Sequence, residues 1–248
     1  MTAAATRALE LDDTLAEAHV ALGFSLFYHW DLAGGEREGR RSLELNPDSS
    51  DGLSLVTLDL LGQGRFAEAL AAGERGVALA PFDYWISFAL SVTYLHTQQF
   101  HKAIEQLRKT VDIEPGSPIA YGVLAQAYAG AGQRERAIRE CEMALALDRK
   151  TSMLVLQSAV AYAMVHEAGE ARKLAEEIEK NWRHDGVSAF WLASVYSSLH
   201  DTETAFEWME KAYQEHAPFL CYLKSMWTHS RMREDPRFGA LLKRVGVA

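Results

Sequence analysis

Proline is scarce in this 248-residue chain, with six residues in all, and the cysteines number two, Cys141 and Cys221. So few prolines leave long stretches free to coil, and the abundance of Ala and Leu favours helix over sheet. Two thiols far apart in sequence exclude a disulfide framework or a zinc knuckle, which need more and closer cysteines. Both are expected to pack as small apolar groups. No uninterrupted apolar run approaches the roughly 20 residues that span a bilayer. The first residues, Met1 to Arg7, lack the basic start and apolar core of a secretion signal. These absences lead to the expectation of a reduced, cytoplasmic protein with no membrane contact. Positive charge is also short: 25 basic against 34 acidic residues give a net charge of −9. That argues against a general nucleic-acid binder, which needs Lys and Arg to displace counterions from phosphate.

What the chain has in quantity is internal repetition. Leu43-Glu44-Leu45-Asn46-Pro47, Val77-Ala78-Leu79-Ala80-Pro81 and Val111-Asp112-Ile113-Glu114-Pro115 end in prolines 34 residues apart. At the next step, Leu145-Ala146-Leu147-Asp148-Arg149 keeps the apolar pattern without the proline. The same step links the small residues Gly23, Thr57, Ser91, Ala125, Ala159 and Ala193. It also links Leu26, Leu60, Tyr94, Tyr128, Tyr162 and Tyr196, and a second small series of Gly35, Ala69, Ala103, Ala137, Ala171 and Ala205. Three series in register over six periods define units 16–49, 50–83, 84–117, 118–151, 152–185 and 186–217.

Each unit reads as two helices. In the third, Trp85, Phe88, Val92 and Leu95 follow a helical step, Gln98-Gln99 turns the chain, and Ile104, Leu107 and Val111 continue on a second helix that stops at Pro115. Neither helix alone buries its stripe, so the pairs must stack. This length, with this order of small, aromatic, small and proline, resembles the tetratricopeptide repeat over about four fifths of the chain. The resemblance implies an all-α, right-handed superhelix of six hairpins whose concave wall is built from the first helices. It implies a protein or peptide partner, no catalysis and no cofactor. Gly35, Gly39, Gly73 and Gly76 depart from the family pattern on the second helices of units one and two. Either Trp30, Tyr84 or Trp85 fills the vacated space, or the N-terminal half is deformable.

The two ends differ. In residues 1–15, Ala5, Ala8, Leu9 and Leu11 match the end of a second helix one period earlier, so the chain is expected to begin inside a preceding repeat. The incomplete cap leaves an apolar edge for a homodimer. Residues 218–248 are expected to form capping helices, one from Pro218 and one N-capped by Asp235, with Leu241, Leu242 and Val245 on one face. The stretch Ala205–Tyr213 with Glu234–Phe238 and Leu241–Gly246 is similar to C-terminal repeat regions of bacterial adenylate cyclases, serine/threonine kinases and winged-helix regulators. That similarity implies a regulatory origin, while the effector motifs themselves are missing from this sequence.

A search for chemistry finds little. His166-Glu167 lacks the second His of a zinc-protease helix, and Gly130-Ala131-Gly132 lacks the Lys-Ser/Thr of a phosphate loop. No Gly-x-Ser-x-Gly elbow occurs. The nine histidines fall mostly near helix ends and are expected in solvent, as is the charged run Glu36-Arg37-Glu38-Gly39-Arg40-Arg41. No catalytic, cofactor-binding or metal-binding residue is assigned.

The resemblance maps a concave stripe onto Val20, Phe24, Phe27 and Tyr28, then Leu58 and Leu61, then Trp85, Phe88, Val92 and Leu95. These ten residues are the candidate partner-binding groove. Some tetratricopeptide clamps hold a terminal carboxylate with Lys, Asn and Arg. The matching slots here hold Val20, Phe24, Leu55, Trp85 and Ala89, none a charged donor. An apolar, aromatic-rich wall suits an amphipathic helix or an extended apolar segment instead. A sensory module, controlled by a small ligand or by self-association, is the alternative reading.

Overall fold

A computed structural model describes residues 2–182, 186–226, 228 and 232–247. It is all-helical over the described residues, with α1 at Thr2–Leu11 followed by twelve helices in six antiparallel pairs. The pairs are α2 (Ala16–Tyr28) with α3 (Leu32–Leu45), α4 (Ser50–Gly62) with α5 (Phe66–Leu79), and α6 (Tyr84–His96) with α7 (Phe100–Ile113). They continue with α8 (Pro118–Gly130) and α9 (Arg134–Leu147), α10 (Ser152–Met164) and α11 (Ala168–Lys180), and α12 (Gly186–Ser198) and α13 (Thr202–Gln214). Short 3-10 turns at Pro218–Tyr222 and Met232–Glu234 lead to α14 (Pro236–Val245).

The 34-residue step is written into the backbone as well as the side chains. Within each hairpin one residue has positive φ: Trp30, Gly64, Gln98, Gly132, His166 and His200, each 34 residues after the last. The amide of the following residue bonds back five residues in every case, from Asp31 N–H to the Leu26 carbonyl through Asp201 N–H to the Tyr196 carbonyl, all at 2.9–3.0 Å. This is a Schellman closure, which requires a left-handed residue at the turn. Four of the six positions are not glycine, so tertiary contacts must offset a cost of roughly 1–2 kcal/mol at each.

Between hairpins, Asn46, Ala80 and Glu114 are pushed out of helical geometry ahead of Pro47, Pro81 and Pro115. Asp148 adopts the same extended conformation with Arg149 after it, so the stacking imposes this turn and proline only reinforces it. Ser49, Asp83 and Ser117 then cap the next first helix by accepting from its free amides.

The small residues lie at the crossings. Gly23, Thr57, Ser91, Ala125, Ala159 and Ala193 are all buried, as are Gly35, Ala69, Ala103, Ala137, Ala171 and Ala205. The four N-terminal glycines admit side chains of the neighbouring first helices: the Asp59 carboxylate over Gly35, Leu55 and Val56 over Gly39, Leu90 over Gly73 and Ile86 over Gly76. The vacated space is therefore filled, though by these residues and not by Trp30, Tyr84 or Trp85. A methyl group at Gly35 or Gly76 would approach them to 2.6 Å or 2.4 Å, so the tight packing is the reason for the glycines.

At the C-terminal end Asp235 caps α14, and Phe238, Leu241 and Val245 are buried. Arg237 pairs with Glu203 and Arg244 with Glu210, holding α14 against α13 at a spacing of one repeat. The run at Glu36 differs from the expected solvated face. Glu36 is largely covered and receives Arg40, Arg65 and Gln63, and Glu38 lies 2.7 Å from the buried His19. Cys141 and Cys221 are buried free thiols.

Candidate functional site

The first helices α2, α4, α6, α8, α10 and α12 present corresponding side chains to one wall, and the two ends of that wall have different fates. At their C-terminal ends, Phe27, Leu61 and Leu95 are 34 residues apart and fully buried. What covers this end is the chain itself. Residues 217–226, here called the strap, leave α13 and run back across the C-terminal ends of α2, α4 and α6.

The strap is tied at several points. The Trp30 indole N–H donates to the Ala217 carbonyl at 2.8 Å, across 187 residues of sequence, and its ring stacks on His216 at 3.7 Å. The Tyr222 ring meets Phe27 edge-on at 5.3 Å and His96 at 5.6 Å. Gly62 lies under the Cys221 carbonyl, where a Cβ would stand 3.2 Å away. Phe219 packs on Phe190 and Trp191 of α12, and the Ser197 hydroxyl donates to the Thr228 carbonyl. Leu220, Cys221 and Leu223 are completely buried. The first and last hairpins are thus joined through this segment. The Trp30 contacts also explain how an indole residue holds a left-handed turn.

His96 and Asp59 are among the titratable groups facing the strap, and the Arg233 guanidinium donates to its Lys224 and Met226 carbonyls. His96 Nδ1 lies 3.0 Å from Ser225 Oγ, and the Ser225 hydroxyl proton is directed at the Tyr222 carbonyl, so the imidazole donates. Burial, with a smaller contribution from the Arg233 charge, pushes His96 down to about 4. It stays neutral at physiological pH. The Asp59 carboxyl is buried between Gly35 and the strap, with neither oxygen hydrogen-bonded. Burial first, then the charges of Glu36 and Asp31, push it up to about 9. His19 is buried and His96 half-buried, against the expectation of solvated histidines; His184 and His229 lie outside the described residues. Burial raises the Cys141 thiol to about 12 and raises Cys221 well above the usual thiol value, the opposite direction from an activated nucleophile.

The N-terminal ends of the first helices form an open rim. Trp85 at the start of α6 is 61% exposed and Phe82, in the turn before it, is 85% exposed. Tyr84 packs edge-on to Trp85 at 5.1 Å and stacks with Phe88 at 5.8 Å, and its hydroxyl meets Ser117 Oγ at 2.7 Å. Around them stand Glu17, Asp51, Asp83 and Glu114. Burial, then repulsion from Asp83 and Glu17, raises the pKa of Asp51.

The ten groove residues therefore separate. Trp85 and, at 44%, Tyr28 are exposed. Phe24, Leu58, Phe88 and Val92 are partly buried and pack against the core. Val20, Phe27, Leu61 and Leu95 are buried, so the ten residues do not form one continuous exposed stripe in this arrangement. Phe82, Tyr84 and the strap were missed. The apolar run Phe219-Leu220-Cys221-Tyr222-Leu223 was the available signal for the strap, being too apolar for a solvent-facing cap.

Residues 97–159 match the tetratricopeptide repeat family. The wider likenesses agree with that match. A thermophilic tetratricopeptide protein of Thermus thermophilus superposes with a TM-score of 0.61 at 18% identity, over 80% of this chain and 99% of that one. PilW, a type IV pilus biogenesis factor, gives 0.62 at 20% identity, over 75% and 87%. These establish the tetratricopeptide-type solenoid as the fold. In sequence, the BBSome complex member BBS4 of Xenopus tropicalis is 23% identical over 193 residues, 77% of this chain and 34% of that protein. The chain thus spans about a third of that relative's length. No described helix is long and apolar enough to cross a membrane.

Proposed function

We propose that this chain is a non-catalytic protein-interaction scaffold that docks a peptide or helical segment on the open part of its concave wall, with Trp85 as anchor. The observation carrying this reading is the aromatic cluster at the start of α6, with Trp85 and the preceding Phe82 exposed and Tyr84 and Phe88 half-buried beside them. Large aromatics at a rim, fixed by stacking, are efficient anchors because little side-chain freedom remains to be lost on binding. Similarity to a BBSome complex member supports a role in assemblies. Peptides selected from a displayed library on the intact chain test it. Trp85→Ala or Phe88→Ala should weaken their binding about tenfold or more with helical content unchanged. Undiminished binding to both variants would overturn the groove assignment.

A second reading is favoured by the strap. A segment of the chain lying on its own concave wall is the arrangement of a regulatory module, in which an attached or partner effector responds to a ligand or to self-association. The exposed Leu11 and Leu15 of the N-terminal edge are the surface for a homodimer in this reading. Sedimentation across a concentration series checks it, and a monomer at every concentration would remove self-association.

A further inference from the structure

The part of the open rim before α2, α4, α6 and α8 differs in charge from the turn before α10, which carries Arg149 and Lys150. The turns and first helical turns at 12–17, 46–51, 80–85 and 114–118 contain acidic residues and no Lys or Arg. They are brought side by side. Ser50 Oγ donates to Asp83 Oδ2 at 2.7 Å, joining the starts of α4 and α6, and the Tyr84–Ser117 bond joins α6 to α8. Glu17 and Asp83 lie within electrostatic range of Asp51, and Glu114 within range of Tyr84. Asp83 is partly engaged as the cap of α6, while Glu17, Asp51 and Glu114 face outward. Several carboxylates elsewhere are matched: Glu36 with two arginines, Glu203 with Arg237, Glu210 with Arg244. Among the described residues no Lys or Arg forms an ion pair with Glu17, Asp51 or Glu114, and Arg75, the basic side chain at the 46–51 turn, donates to the Pro47 carbonyl at 2.7 Å.

We infer that the occupant of the rim is a cationic peptide segment, Lys- or Arg-rich around an aromatic or aliphatic anchor that packs on Trp85 and Phe82. This rests on the scaffold reading and adds the partner's chemistry. The anchor buries apolar surface on the two rings, a flanking Lys or Arg lies over the Trp85 face as a cation–π contact, and others pair with Glu17 and Asp51. Clustered like charges without counter-ions are costly in the free protein, so a cationic partner gains by relieving them. A nucleic acid meets the wrong sign, and a second copy brings its own charge of −9.

Three synthetic peptides with one apolar pattern, carrying Lys/Arg, Gln or Glu at the polar positions, are titrated into the intact chain by calorimetry. The cationic peptide should bind at least about tenfold more tightly than the Gln peptide, with affinity falling steeply as salt is raised. Trp85→Ala should lower that affinity about tenfold and keep the salt dependence. Glu17→Gln with Asp51→Asn should lower it several-fold and flatten the salt dependence, with thermal unfolding little changed. Equal binding of Gln and cationic peptides, lost in Trp85→Ala, would overturn the cationic partner and leave the scaffold standing. Cationic binding indifferent to all three substitutions would overturn the rim as its site. Failure of every peptide overturns the inference, and failure of the displayed library as well removes the scaffold reading.

Discussion

The same row of first helices is sealed at one end and open at the other. Phe27, Leu61 and Leu95 lie under the strap, while Glu17, Asp51 and Trp85, on the same helices and at the same 34-residue step, form the rim. The periodic fold supplies both rows alike, and the difference arises because residues 217–226 return to one row only. An apolar stripe in a repeat protein is therefore not by itself a groove. Its accessibility depends on where the chain's own end goes.

The largest test of this comparison sets the two rows against each other. Tyr222→Ala removes a buried ring touching Phe27 and His96 and should cost about 3–5 kcal/mol in denaturant unfolding. Trp85→Ala should change stability by no more than about 0.5 kcal/mol. Similar losses from both would mean that the rim is structural after all.

The next effect is electrostatic and belongs to the strap side. Asp59 has a folded-state pKa of about 9 against 3.8 unfolded, so the folded state holds the extra proton and stability falls as pH rises from 4 to 9. His96 has a folded-state pKa of about 4 against 6.5, so its contribution is complete above pH 6.5 and is lost as pH falls toward 4. Each slope is at most about 1.4 kcal/mol per pH unit, and between pH 4 and 6.5 they oppose. Wild-type stability should be nearly flat there and decline above it. Asp59→Asn should leave a rise from pH 4 to 6.5, and His96→Gln a steady fall from pH 4 upward. Calorimetric scans across this range distinguish them, and a curve unaltered by either substitution would refute both assignments.

A smaller effect separates tight from open glycines. Gly35→Ala should destabilise by about 1–3 kcal/mol despite the better helix former, because its methyl meets the Asp59 carboxylate. Gly169→Ala, on α11 with nothing within 4 Å, should be neutral or gain up to about 1 kcal/mol. In the double variant Asp59→Ala makes room, so the penalty of Gly35→Ala should shrink. A loss unaffected by Asp59→Ala would mean that the clash is elsewhere.

The hairpins were legible because every unit repeats the same small, large and helix-ending positions without a break. The six hairpin crossings carry Gly23, Thr57, Ser91, Ala125, Ala159 and Ala193, one at each step. The turn residues were less so: Gly64 and Gly132 advertise a left-handed backbone, but Trp30, Gln98, His166 and His200 do not. The site was only half legible. Trp85 was visible as an aromatic on the inward stripe, whereas the burial of Leu61 and Leu95 depends on residues more than a hundred positions away.

Sequence alone determined the hairpins, their 34-residue pitch, and the glycines and alanines where helices cross, because these follow from local propensity and from neighbours a few tens of residues apart. Tertiary structure alone decided which end of the wall faces solvent. Small rotations accumulate from one hairpin to the next until Trp30 reaches Ala217, and that sum belongs to the whole stack.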